Sequence, residues 1–172
     1  MAKAPPVHEL EFLKLIPNHA ESVRKLAELG VSAPDLTLYA FHVGRCWIHL
    51  AVEHLQEAHL AESAGARRTS FSRAYYAVYN ASKAVRYIVD GSVSLKGDDH
   101  QKARYLPDDF PDVAKWSETI ALLYENRLRA DYDNWNSTSS EFSMSSADAL
   151  SFAETFVSTT KTYLATKFGI IL

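Results

Sequence analysis

The stretch from Ser70 to Ala84 carries four polar side chains at helical spacing: Arg73, Tyr76, Asn80 and Lys83. Their separations of three, four and three residues place them along one face of a helix. An arginine fork and a lysine ammonium can bind phosphate oxygens, and a tyrosine ring can stack on a base. The row predicts a binding surface for a nucleotide or RNA. A solvated helix face with amphipathic tyrosines is the alternative.

A second chemical pair, Arg127 and Asp131, lies four residues apart on the same side of a helical pattern as the apolar residues Ile120 and Leu123. Charges that point towards a core or a subunit interface must be paired. One hypothesis is an internal ion pair that fixes helix packing. The other is a cleft in which desolvation strengthens the hold of Arg127 on a phosphate or on a phosphoryl transition state.

Histidines are frequent but poorly spaced for a metal. Three of them are five residues apart: His49, His54 and His59. Two-histidine metal sites on a helix use a spacing of four, which among pairs of a histidine and a carboxylate only His49 with Glu53 offers. We therefore expect no metal site and no cofactor. His100 follows two aspartates in a polar loop and could approach the face that carries Arg73. An ordinary exposed loop histidine is the alternative.

The elements that must position these residues are predicted to be helices. Apolar residues recur at three and four positions almost everywhere, and only six glycines occur. The predicted helices cover about 8–16, 18–29, 34–63, 69–89, 113–131 and 146–168, with one helical turn around 100–104. We expect an all-α fold in which residues 1–35 form an N-terminal helical extension and residues 36–172 form the main domain.

Local signals support these boundaries. Asn18 and Ser145 are expected N-cap residues, Gly30 is an expected left-handed stop, and the fourth predicted helix is expected to end at Asp90-Gly91. The Ser/Asn-rich run 134–145 is predicted to be a linker.

The charge balance limits the way in which this chain can bind an anion. The net charge is −3 and the sequence pI is about 6.1, so the chain does not coat nucleic acid by bulk positive charge. The segment from Arg67 to Arg104, however, contains eight basic residues and only three acidic ones, so its local charge is positive. Any contact with nucleic acid is therefore expected to be local.

The single cysteine, Cys46, excludes both an intramolecular disulfide and a zinc cluster built on several cysteines. The N-terminal residues lack a secretory signal pattern, and no stretch is long and apolar enough to span a membrane. We expect a cytoplasmic protein without membrane contact.

Several motifs together resemble the HEPN superfamily, and more narrowly its small stand-alone bacterial and archaeal members. These are Arg73-Ala74-Tyr75-Tyr76-Ala77, the turn at Gly91, the loop histidine His100, and Arg127-x-x-Ala130-Asp131-Tyr132. The resemblance covers about residues 37–168. It implies a bundle of four to five helices, usually a homodimer, with the two long middle helices forming a cleft near the dimer axis.

The resemblance also implies chemistry. Many family members are metal-independent ribonucleases that use an arginine followed, about four to six residues later, by a histidine; others pair with a nucleotidyltransferase as toxin and antitoxin, or serve in phage defence. Arg127 matches the arginine, but Tyr132 occupies the histidine position and no histidine follows it. A free tyrosine, with a pKa of about 10, is a poor base at neutral pH. His100 could substitute.

The leading hypothesis is a HEPN-like helical dimer that binds a nucleotide or RNA and acts with a partner such as a nucleotidyltransferase or an antitoxin, with weak nuclease activity at most. The expected ligand-binding residues are Arg73, Tyr76, Asn80, Lys83 and Asp131. One alternative is a metal-independent endoribonuclease toxin with Arg127, His100 and Tyr132 as catalytic residues. Another is a purely structural interaction module.

Overall fold

The computed structural model describes residues 9–94, 99–133 and 142–170. Within these ranges every regular element is an α-helix, and the only β contact is an isolated bridge between Asn18 and Ser92. The helices are α1 (Glu9–Leu15), α2 (His19–Glu28), α3 (Pro34–Ser63), α4 (Arg67–Asp90), α5 (Asp99–Lys102), α6 (Val113–Tyr132) and α7 (Ser146–Phe168). The predicted all-α bundle with an N-terminal helical extension is confirmed. Among these helices, none combines the length and apolar character that crossing a membrane requires.

The helix ends follow local signals. The side chain of Asn18 accepts a hydrogen bond from the backbone N–H of Glu21 at the start of α2, and Ser145 accepts one from Asp148 at the start of α7. Gly91 ends α4 in the left-handed conformation, with φ of 77°. Each end is therefore set by residues within one helical turn.

Helices α3 and α4 form the centre of the bundle, and small residues bring them close together. A Cβ atom on Gly44 of α3 would lie 2.5 Å from Cδ1 of Ile88 on α4. Accordingly, four of the buried residues of α3 are alanines: Ala40, Ala51, Ala58 and Ala61. Of the larger residues expected to face inward, Ile48 is buried, while Phe41, Val52 and Leu55 are half-buried. Close approach of two helices requires small side chains at the contact, which displaces larger ones to its edges.

The apolar stripes of α4 and α7 form the main core. The expected α4 residues are all buried: Phe71, Ala74, Val78, Ala81, Val85 and Ile88. The same holds for α7, whose buried residues include Leu150, Ala153, Phe156, Val157, Thr160 and Tyr163. Trp116 of α6 packs edge-on against Phe156, with ring centroids 5.1 Å apart. Helical periodicity thus predicted the inner faces correctly.

The N-terminal extension packs on the bundle through a second, smaller core. This core contains Phe12, Leu13, Ala40, Val43, Tyr87 and Val93. His19 at the start of α2 is buried, and its Nε2 lies 2.9 Å from the carbonyl oxygen of Tyr87. A Cβ atom on Gly91 would lie 2.2 Å from Cβ of Ala20. Glycine is needed there both for its positive φ and for the close approach of α2.

Residues 142–145, the end of the predicted linker, pack against the bundle. The ring of Phe142 stacks on that of Phe71, with centroids 4.4 Å apart. Asn126 of α6 donates to Oγ of Ser143 and accepts from its backbone N–H, at 2.7 and 2.9 Å. These contacts connect α6 to the entry of α7. The rest of the linker, 134–141, lies outside the described residues.

Candidate functional site

Tyrosines from one face of α4 form the floor of the candidate site. Tyr75 and Tyr79 are one helical turn apart, and their rings lie 6.1 Å apart in a stacked arrangement. Tyr124 of α6 approaches Tyr75 to 5.5 Å between ring centroids. Tyr75 is fully buried, while Tyr76, Tyr79 and Tyr124 are half-buried. The packing of α6 on α4 therefore creates an aromatic surface that is partly open.

His100 of α5 lies on this aromatic surface. Its ring stacks on Tyr79 at 4.3 Å between centroids, and its Nδ1 is 3.0 Å from Oη of Tyr75. Burial lowers the pKa of His100 below its usual 6.5, and the positive charge of Arg127 adds to the effect, whereas Asp99 opposes it. The imidazole is therefore neutral at physiological pH and able to accept a proton.

The neighbouring residue, Asp99, anchors α5 to α4. Arg86 donates to both carboxylate oxygens of Asp99, at 3.0 and 3.1 Å, and Oη of Tyr79 donates to one of them at 2.9 Å. Lys83 lies 3.8 Å from the same carboxylate. Burial opposes the charge on Asp99, but Arg86 and Tyr79 outweigh it, and the pKa of Asp99 is lowered. This buried ion pair determines where His100 lies.

Arg127 of α6 faces the same surface. Its Nη2 donates a 2.6 Å hydrogen bond to Oη of Tyr76. Its Nε lies 2.8 Å from Oδ2 of Asp131, without the alignment of a hydrogen bond, so this contact is an ion pair. The guanidinium also lies over the rings of Tyr76 and Tyr132, at 5.3 Å from each centroid. Burial opposes the charge on Arg127, but the oxygens of Tyr76 and Asp131 outweigh it and raise the pKa of Arg127.

Tyr76 links Arg127 to His100. Its hydroxyl accepts from Arg127, and its ring lies 6.0 Å from that of His100 in an edge-on contact. The site therefore combines a buried cation, a neutral imidazole and several phenol groups. We call these residues the Arg127–His100 cluster: Tyr75, Tyr76, Tyr79, His100, Tyr124, Arg127, Asp131 and Tyr132. A cation beside stacked aromatic rings can bind a phosphate and an adjacent base.

The four polar residues predicted to form one binding surface on α4 contact different parts of the structure. Arg73 is partly exposed, forms an ion pair with Glu57 at 3.1 Å and lies 3.3 Å from a ring nitrogen of His54. Tyr76 belongs to the Arg127–His100 cluster. Asn80 is buried and donates to the backbone carbonyl of Tyr76, and Lys83 lies against Trp47, Tyr79 and Asp99. The row therefore faces several different neighbours rather than one ligand surface.

Of the expected catalytic residues, Arg127 and His100 are brought into one cluster, and Tyr132 lies at its exposed edge, 67% accessible. Sequence reasoning missed Tyr75, Tyr79 and Tyr124 as neighbours of His100, and it missed Arg86 as the partner of Asp99. The repeated tyrosines within Tyr75-Tyr76-x-x-Tyr79 and an arginine on the apolar side of α4 were the available signals.

Comparison with known protein families gives one match. The family model described as the HEPN domain matches residues 45–163, which is more than half of the chain. The matched range contains α4, α5 and α6, and therefore the whole Arg127–His100 cluster. Comparisons with curated proteins and with solved structures found no match.

Proposed function

Because this chain belongs to the HEPN family, whose domain implies a role connected with nucleotides or RNA, we propose that it binds RNA or a nucleotide at the Arg127–His100 cluster. The observation that carries this proposal is the environment of Arg127. Its guanidinium is largely withdrawn from water, lies over two tyrosine rings and is next to a surface of further aromatic rings.

One side-chain nitrogen of Arg127 supports an anionic ligand, although carboxylates balance part of the positive charge in and around the cluster. Asp131 balances part of the charge of Arg127, and Arg86 is neutralised by Asp99. Within the described part of the chain, no hydrogen bond engages Nη1 of Arg127. That nitrogen is the donor left for a phosphate oxygen, and the half-buried rings beside it would receive a base.

A second candidate function is metal-independent cleavage of RNA, favoured by the placement of His100. A neutral imidazole in the same cluster as the Arg127 guanidinium, with Tyr76 in contact with both, is suited to take the proton of a ribose 2′-hydroxyl while that oxygen attacks the adjacent phosphorus. Arg127 would stabilise the charge that develops on the phosphate oxygens. The leaving 5′-oxygen takes up a proton, and the products are a 2′,3′-cyclic phosphate and a 5′-hydroxyl.

This reaction requires one tautomer of His100. When Nδ1–H donates to Oη of Tyr75, the lone pair of Nε2 is free to accept the proton. When Tyr75 instead donates to Nδ1, Nε2 carries the hydrogen and His100 cannot act as a base. In this proposal Tyr75 is a positioning residue. Arg127 and His100 would contact the reacting groups, and the exposed ring of Tyr132 lies 5.3 Å from the guanidinium.

The proposal extends to assembly and location. We propose a homodimer that acts in the cytoplasm with a partner such as a nucleotidyltransferase or an antitoxin, in a toxin–antitoxin or phage-defence setting. The tendency of HEPN domains to dimerise and to act with partners supports the assembly. The single cysteine supports a reducing compartment. A structural role for the Arg127–Asp131 pair remains an outcome that the test below distinguishes.

The test measures RNA binding and RNA cleavage in the same solution. Fluorescently labelled single-stranded RNA is titrated with the protein in excess EDTA, followed by anisotropy, and the RNA is then analysed for cyclic-phosphate ends. We expect Arg127→Ala to weaken binding at least about tenfold, the loss of one charge-assisted contact. Arg129→Ala, which changes an exposed arginine on the same helix, is the matched control and should bind normally.

His100→Ala separates the two functions. If the protein only binds RNA, no cyclic phosphate forms with any variant, and His100→Ala changes affinity modestly. If it is a nuclease, cleavage by the unmodified protein disappears in both Arg127→Ala and His100→Ala. Equal RNA binding by Arg127→Ala and the unmodified protein contradicts the proposed site. If Arg127→Ala unfolds, as judged by circular dichroism, Arg127→Lys keeps the charge but removes the fork and takes its place.

A further inference from the structure

Three metal-ligating side chains meet where α1 packs on α3, outside the Arg127–His100 cluster. Nε2 of His42 lies 3.2 Å from Oε1 of Glu9, and Sγ of Cys46 lies 3.7 Å from the same nitrogen. All three ligand atoms lie within 4.8 Å of one another. They supply one carboxylate oxygen, one imidazole nitrogen and one thiol sulfur.

These separations match the edges of a tetrahedral zinc site. With Zn–O and Zn–N bonds of about 2.0 Å and a Zn–S bond of about 2.3 Å, tetrahedral angles put nitrogen and oxygen about 3.3 Å apart and nitrogen and sulfur about 3.5 Å apart. The observed 3.2 and 3.7 Å are therefore close to two of the three edges, and the oxygen and sulfur atoms lie within 4.8 Å of each other. His42 and Cys46 are one helical turn apart on α3, a spacing at which two side chains reach one ion.

The site is also accessible. The side chains of His42 and Glu9 are 45% and 41% exposed, and Cys46 is partly buried. An ion can therefore enter from solvent, and the donor set leaves one tetrahedral position for a water molecule. A mixed sulfur, nitrogen and oxygen set suits zinc, and it excludes magnesium and calcium, which prefer oxygen alone.

We propose that Glu9, His42 and Cys46 form a binding site for a zinc-class divalent ion that ties α1 to α3. On binding, the thiol of Cys46 loses its proton to solvent and coordinates as the thiolate. The ion would add a bond between α1 and the longest of the described helices to the small apolar core and the His19–Tyr87 contact that hold the N-terminal extension. The sequence analysis predicted no metal site, because Glu9 is 33 residues from His42 and only folding brings the two side chains together.

The test uses the full chain without a polyhistidine tag, stripped of metal with EDTA and dialysed. Cobalt(II) is titrated as a spectroscopic probe, and zinc binding is measured by calorimetry. We expect one ion per chain, with tetrahedral cobalt bands and a near-ultraviolet thiolate charge-transfer band. Cys46→Ser should abolish that band, and Glu9→Gln and His42→Gln should each weaken zinc binding at least about tenfold, since each removes one of three ligands. Zinc should raise the melting temperature of the unmodified chain but not of Cys46→Ser.

His49→Gln is the matched control, since it removes an exposed histidine from the same helix. It should bind zinc like the unmodified chain. No saturable binding overturns the proposal, and so does zinc binding by Cys46→Ser that equals that of the unmodified chain. If Glu9→Gln binds zinc as tightly as the unmodified chain, Glu9 is not a ligand, and the proposed link between α1 and α3 is wrong. If Cys46→Ser does not fold, Glu9→Gln and His42→Gln provide the test: zinc affinity equal to that of the unmodified chain in both variants overturns the proposal.

Discussion

At the scale of single residues, two histidines are held neutral by their surroundings. Burial lowers the pKa of His19, against a smaller opposite effect of its hydrogen bond to the carbonyl of Tyr87. Burial and Arg127 lower the pKa of His100. The usual value for histidine is 6.5, so both side chains bind a proton less readily in the folded chain than in the unfolded one.

This difference predicts a loss of stability in mild acid. Below about pH 6.5 the unfolded chain takes up protons at these positions before the folded chain does, so the free energy of unfolding falls as pH falls. The fall should end once the pH is below the folded pKa of both histidines. Urea unfolding at a series of pH values between 5 and 8 measures it.

His19→Gln should flatten this dependence, because glutamine can donate to the Tyr87 carbonyl but does not titrate. His49→Gln, an exposed histidine on α3, is the control and should leave the slope unchanged. Stability that is constant, or that rises as pH falls through this window, contradicts the prediction.

At the scale of elements, α5 depends on side-chain anchors. A four-residue helix is not stable by itself, because the conformational entropy lost in ordering the first turn exceeds what its hydrogen bond contributes. It is held by the ion pair of Asp99 with Arg86 and by the hydrogen bond from Ser82 to the carbonyl of Ala103, at 2.6 Å. Since His100 is part of α5, these anchors on α4 also position the candidate base.

Arg86→Ala should therefore destabilise the protein strongly. Both side chains of the pair are almost fully buried, and removal of the arginine leaves the Asp99 carboxylate with Lys83, Tyr79 and the backbone N–H of Ser94 as partners but without its two guanidinium hydrogen bonds. Breaking such a buried pair costs about 3 to 5 kcal/mol, measurable by chemical denaturation. RNA affinity should fall as well, because α5 loses its anchor.

Arg104→Ala is the comparison, since this arginine follows α5 closely in the chain but is exposed beside Tyr105. We expect its free energy of unfolding to stay within about 0.5 kcal/mol of the unmodified chain. An equally small change for Arg86→Ala would mean that the ion pair does not hold α5.

At the scale of the whole molecule, charge limits how RNA can bind. The net charge is −3, so the surface as a whole does not attract a polyanion. The cations at or beside the cluster include Arg127, Lys83 and Arg73, and each of these three is partly balanced by a carboxylate. The affinity must therefore come from a few phosphate contacts together with base stacking.

RNA binding should consequently depend only weakly on salt. Each phosphate contact with single-stranded RNA contributes about −0.7 to the slope of log affinity against log salt, so three contacts give about −2. Anisotropy titrations between low and physiological ionic strength measure this slope. A slope of about −5 or steeper would indicate a broad electrostatic surface and would move the binding site away from the Arg127–His100 cluster.

The sequence by itself determined the helices and their inner faces. Caps such as Asn18 and Ser145, the end of α4 at Asp90-Gly91 and the apolar period of α4 were predicted and are present. The helical HEPN-type fold was predicted too, and the family match bears it out. These features could be predicted because capping and periodicity depend on residues within one or two helical turns of each other.

Only the tertiary structure decided which side chains meet. It placed His100 beside Tyr75 and Tyr79, where the sequence suggested an approach to Arg73, and it turned Asn80 and Lys83 towards their own helix and Asp99. It also brought Glu9 to His42 and Cys46 across 33 residues or more. Such contacts depend on how separate helices pack, and packing is decided by the fit of whole surfaces, which local spacing does not encode.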